Sequence, residues 1–186
     1  TFPVFSPDGL TMYFCSSKKQ NVQTGYKNIK YSLCKIAFNP QNGTFGDKVD
    51  TLVSAALTNK SISFPRPSFD GRYLMFTQSD YGNFSIWHRE ADLFLMDLKD
   101  GSIRSMPEVN SSETESFHDW SSNSHWFVFS SRRGDGLYTR LYLASIDDNG
   151  KISKPFLLPQ KDPFFYDKSL FSYDVPEFIS SKVKVD

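Results

Sequence analysis

The chain has 186 residues, with 21 Lys plus Arg balanced by 21 Asp plus Glu for a formal net charge of zero. That balance offers no basic field for nucleic acid, and 39% hydrophobic with 23% charged residues excludes a disordered chain. No apolar run approaches the roughly 20 residues of a membrane helix, and no signal-like leader opens the chain at Thr1, so a mature or trimmed product is expected.

Phe 18, Tyr 9 and Trp 3 make up 16% of the chain, interrupted by 10 Gly and 10 Pro. Large aromatic side chains suit pleated, half-buried surfaces, so the composition predicts an all-β protein with many turns. The first unit opens with Phe2-Pro3-Val4-Phe5-Ser6-Pro7-Asp8-Gly9. Strands are predicted over 2–6, 11–17, 30–38 and 48–53, with one short helical stretch at 52–57. The second unit repeats the opening as Phe64-Pro65-Arg66-Pro67-Ser68-Phe69-Asp70-Gly71, with strands over 64–68, 72–77, 91–98 and 103–107. The third is degraded to Phe117-His118-Asp119-Trp120-Ser121-Ser122-Asn123-Ser124, with strands over 117–121, 125–131, 140–146 and 151–158. In every copy a Phe follows the Ser by eight residues: Phe14, Phe76 and Phe129. Asp8-Gly9, Asp70-Gly71 and Asn123-Ser124 mark a first turn, and Asn42-Gly43, Asp100-Gly101 and Asn149-Gly150 a second. These dipeptides predict type I′ hairpins, with both central residues at positive φ. Cys15 and Cys34 fall on neighbouring predicted strands and read as half-buried thiols, with a single bridge as the alternative.

A four-stranded unit repeated about every 50 residues is the pattern of a propeller blade. The Phe-Pro-x-x-Ser-Pro-Asp-Gly segment followed by an aromatic strand resembles the WD-repeat-like blades of the TolB propeller family. Similar blades occur in the propellers of prolyl oligopeptidase-family peptidases. The resemblance implies an all-β propeller segment with blades over 2–58, 61–110 and 113–160, followed by a tail over 161–186. In that tail Val175-Pro176-Glu177-Phe178 echoes Phe2-Pro3-Val4-Phe5 and reads as another inner strand, the alternative being an ordinary terminal tail with a chance match. Propellers close with about 4–8 blades. Further blades are therefore expected, from the rest of a longer chain or from a second copy.

The resemblance implies a non-enzymatic scaffold that binds a protein or carbohydrate partner in a bacterial periplasm or envelope. The alternative is the propeller portion of an enzyme, either gating a peptidase or acting as a lyase through channel His, Arg and Asp residues. Arg66, Asp119 and Glu177 share one motif position and His118 the preceding one, so Arg66, His118, Asp119 and Glu177 are candidate channel residues. The competing reading is that these charges pair with each other to hold the blades in register. Glu113 and Glu115 add acidity at the same mouth or form a solvated loop. The variable loops between second and third strands supply a second candidate set: Tyr81, Trp87, Arg132, Arg133 and Tyr138, with Tyr26, Tyr31 and Phe84 beside them. Tyr, Trp and Arg are enriched at interface hot spots; the competing reading is packing of each loop on its own blade. No metal or cofactor is expected. His88, His118 and His125 lack ligand spacing, and there is no Gly-x-Ser-x-Gly elbow, Walker loop or dinucleotide fingerprint.

Overall fold

A computed structural model describes residues 1–183. The last residues of the predicted tail, 184–186, lie outside the described residues. The strands are β1 (Val4–Phe5), β2 (Thr11–Ser16), β3 (Ser32–Asn39), β4 (Thr44–Val53), β5 (Ser61–Pro67), β6 (Tyr73–Ser79), β7 (Asp92–Asp97), β8 (Ile103–Ser105), β9 (Glu115–Trp120), β10 (Trp126–Ser131), β11 (Arg140–Ser145) and β12 (Phe156–Leu157). They form three antiparallel sheets of four strands, β1 to β4, β5 to β8 and β9 to β12, each in chain order. Short helices are α1 (Val22–Gly25), α2 (Ala55–Thr58) and α3 (Phe165–Lys168). The helix expected at 52–57 is displaced, because Leu52 and Val53 continue β4 beside β3. The fourth strands depart most from expectation: β4 starts earlier, at Thr44, and β12 shrinks to two residues.

The three sheets stack as successive blades, and the core lies between them. Tyr13, Cys15, Leu33 and Val53 of the first blade meet Leu74, Phe76 and Met96 of the second. The opposite face of the second blade, with Met75, Leu93 and Leu95, meets Trp120, Phe127, Phe129 and Ala144 of the third. Strand alternation explains how one sheet serves two interfaces: successive side chains point to opposite faces. It also explains the thiols. Phe14 pairs with Cys34 and Cys15 with Leu33, so the two cysteines fall on opposite faces and remain free. Burial pushes the Cys15 thiol up to about 12.

The first turn of each blade has one geometry. The Ser6 hydroxyl donates to Asp8 Oδ1 at 2.5 Å and accepts from the Thr11 N–H at 3.0 Å, while the Leu10 N–H donates to Asp8 Oδ1 at 2.9 Å. Ser68, Asp70, Arg72 and Tyr73 repeat this, as do Ser121, Asn123, His125 and Trp126. The type I′ expectation is corrected. Only the second member of each dipeptide has positive φ, as at Gly9 (71°), Gly71 (73°) and Ser124 (59°), because the Asp or Asn side chain captures an N–H two residues on. Ser124 replaces glycine in the left-handed region, and its hydroxyl accepts the Asp70 N–H at 2.9 Å, tying the third blade to the second.

Candidate functional site

The inner strands carry the second repeated irregularity. Phe2, Phe64 and Phe117 all have positive φ, at 50°, 50° and 46°, which is costly for a bulky residue. The ladder shifts between Ser63 and Arg66, and β9 shifts where it faces Val128 and Ser130, so each Phe and the residue after it bulge out of register. Pro at the second bulge position has no N–H to leave unpaired. The bulge turns the Phe rings toward one another, with centroids 3.9 Å apart for Phe2 and Phe64 and 4.4 Å for Phe64 and Phe117.

Around this aromatic seam the predicted channel residues separate. His118 stands at the bulge position that Pro65 holds in the second blade, and it is buried, with neither ring nitrogen hydrogen-bonded. Burial drives its pKa down to about 3, only partly offset by backbone groups of Met75 and Phe64, and Arg66 pushes the same way as burial. It is a neutral interior side chain between the second and third blades. Arg66 and Glu177 each lie within electrostatic range of Asp119, yet among the described residues none of the three forms an ion pair. Burial raises the Asp119 pKa, N–H groups of Phe178 and Trp120 and the Arg66 charge lower it, and Glu177 raises it again. Asp119 Oδ2 accepts the Phe178 N–H at 2.8 Å, so its contact with the tail is through backbone. No group of three or more metal-binding side chains occurs among the described residues.

The loop residues converge differently. The second loop is wedged between its neighbours. The Gly82 N–H donates to the Ile29 carbonyl at 2.7 Å on one side, and Thr114 Oγ1 donates to the Ser85 carbonyl at 3.1 Å on the other. Buried Ser85 and Ser116 hydroxyls lie 2.6 Å apart beneath it. Ser85–Trp87 therefore forms a tight 3-10 turn. The turn buries Ile86 and leaves Phe84 65% and Trp87 73% exposed. The Arg132 guanidinium of the third loop lies 4.6 Å from the Trp87 ring centroid, a cation–π stack across two blades. Tyr81 packs edge-on against Tyr26 at 5.8 Å and His88 at 4.4 Å, joining the first two loops. Tyr138 lies under Arg140.

Arg133 does not join this surface. It turns inward to Glu115 at 2.9 Å, over the Phe129 and Tyr142 rings. Glu115 is fully buried and also accepts from the Ser111 N–H, the Ser111 hydroxyl and the Ser131 hydroxyl. It is an interior bracket, neither a channel charge nor a solvated loop residue, whereas Glu113 pairs with Arg89 at 2.8 Å. Arg140, which sequence reasoning left out, is buried and donates to the carbonyls of Phe171 and Ser169. Nothing local to its sequence marks that role, since its acceptors are main-chain atoms about 30 residues downstream.

No family model matches this sequence, and no curated protein matches it. Solved structures do. TolB from Acinetobacter baumannii is 18% identical with a TM-score of 0.52, over 83% of this chain and 31% of that one. A putative TolB from Agrobacterium tumefaciens is 18% identical with a TM-score of 0.55, over 82% of this chain and 46% of its own. A prolyl endopeptidase is 12% identical with a TM-score of 0.54, over 86% of this chain and 22% of its own. The fold is thus that of a β-propeller, with three blades of the kind TolB contains. The chain spans less than half the length of each of these proteins.

Proposed function

We propose that the chain is the blade-bearing part of a non-enzymatic recognition scaffold that binds a protein partner across its loop face. The observation that carries this reading is the exposed Trp87 with Arg132 stacked on it, beside exposed Phe84. Exposed aromatic and Arg side chains on a braced frame lose little conformational freedom on binding, which is why such residues dominate interface energetics. The nearby polar side chains Lys60 and Asp80, Arg89 and Glu113, and His88 and Glu90 already contact each other. They fit the polar rim that surrounds an apolar centre. The resemblance to TolB blades supports a bacterial envelope setting as part of this reading.

The test is photo-crosslinking from a benzophenone side chain at position 87 in the cells that make the protein, with position 161 as control. A discrete protein adduct at 87, absent at 161 and lost in the Arg132→Ala variant, is expected. Equal labelling at both positions, or adducts to glycan alone, overturns the reading.

A further inference from the structure

We infer that residues 174–178 are the innermost strand of a fourth blade, and that a three-stranded antiparallel sheet lacking its own inner strand covers the outer face of the third blade. The inference stands apart from the loop-face reading and rests on a hydrogen bond that recurs at each blade step. The Ile62 N–H donates to the Tyr31 carbonyl, just before β3, at 2.9 Å. The Glu115 N–H donates to the Ala91 carbonyl, just before β7, at 2.8 Å. The Tyr173 N–H donates to the Thr139 carbonyl, just before β11, at 3.0 Å. Ile62 and Glu115 each lie two residues before the left-handed Phe of their motif, and Tyr173 lies two before Val175. The main-chain register therefore reproduces the alignment of Val175-Pro176-Glu177-Phe178 with Phe2-Pro3-Val4-Phe5. The Ser130 hydroxyl adds a bond to the Asp174 carbonyl, and the buried Arg140 holds the approach to the strand through Ser169 and Phe171.

What the segment lacks is the rest of a blade. In the first blade Val4 pairs with Tyr13 and Phe5 with Met12, whereas 174–178 makes no ladder among the described residues. The face it borders is apolar: Trp126, Val128, Leu141, Leu143 and Phe156 share one side by their pairings, with Trp126 40% and Phe156 43% exposed. This side corresponds to the faces that the first and second blades bury against their successors, so the next interface continues the existing two. An intact second copy does not fit here, because its own Thr1–Phe5 segment belongs in the slot that 174–178 already fills. The first blade shows what does fit. Met12, Phe14, Ile36 and Phe38 form the face that its strands would turn toward a preceding blade.

That sheet is the probe. Residues 6–54, the turn with β2 to β4, are joined after Phe178 in place of 179–186, in a Trp87→Phe background. Trp120 is buried, so acrylamide quenching then reports Trp126. The fused sheet should reduce quenching severalfold relative to the chain ending at Phe178, in a monomer by light scattering, and Tyr173→Pro should abolish the protection. Unchanged quenching overturns the inference. So does a stable dimer of the unmodified chain that shields Trp126, which would make a second copy the occupant. Hydrogen exchange on the unmodified chain gives a check independent of the fusion: the Tyr173 amide must be protected as the Ile62 and Glu115 amides are, and free exchange there overturns the strand assignment.

Discussion

The first and second blades place the same residue in different surroundings. Phe14, Phe76 and Phe129 occupy one repeat position, yet Phe76 and Phe129 are fully buried while Phe14 is only partly so. The second blade has a neighbour on both faces, and the first has one on a single face. Its other side carries Phe38 in contact with Phe5 and Phe45, at 5.0 Å each, and exposed Val49. Burial of a blade residue is thus decided by the neighbouring blade, since alternation gives every strand two apolar sides to cover.

The largest effect expected on this comparison comes from the second-to-third blade interface. Glu115→Ala leaves Arg133 without its partner inside the protein and should cost about 3–5 kcal/mol, read by urea unfolding. A cost below about 1 kcal/mol would mean that the bracket is not an interior support. Next come the equivalent phenylalanines. Phe76→Ala and Phe129→Ala should each cost about 3–5 kcal/mol, and Phe14→Ala about 1 kcal/mol. Equal losses at all three would show that the first blade is covered in solution. A smaller effect separates the turn from its cross-blade bond. Ser124→Ala keeps the left-handed strain and loses the acceptor for Asp70, costing about 1–2 kcal/mol, whereas Ser124→Gly relieves strain while losing the same bond and should be nearly neutral. If Ser124→Ala costs nothing relative to the unmodified chain, the bond to Asp70 contributes nothing.

A separate test lies in the pH dependence. His118 titrates at about 3 in the fold against 6.5 ordinarily, so the unfolded chain binds the extra proton and stability falls as pH drops from 6.5 toward 3. Asp92 is raised from 3.8 to about 6 by burial, with Glu115 and Glu90 adding to the rise and Lys60 opposing it. Here the folded chain binds the extra proton, so acidification between 6 and 3.8 stabilises. The two groups oppose each other across that window. Asp92→Asn removes the stabilising one and should steepen the acid loss in denaturant titrations; a parallel curve would show that Asp92 ionises normally.

Much of this architecture is legible in the sequence because the repeat is carried by local chemistry. A Ser-x-Asp-Gly run satisfies its own backbone through the Ser hydroxyl and Asp carboxylate, so the turn forms wherever those residues occur. The third copy keeps the turn with Asn and Ser because Asn offers the same acceptor. The recognition candidates were only half legible. Trp87 and Arg132 are brought together across a blade boundary, while Arg133, one residue along, turns the other way into the core. Both arginines lie just past the end of β10, and which one faces inward depends on where buried Glu115 sits.

The sequence by itself determined the blades, their order and the positions of their turns, since hydrogen-bond partners a few residues apart and alternating apolar side chains specify them. Tertiary structure alone decided that His118 is an interior neutral ring, that Glu115 brackets Arg133, and that Tyr173 docks on Thr139 in the register of an inner strand. Each of these depends on partners from another strand or loop, at separations over which the surrounding packing, not the local sequence, selects the contact.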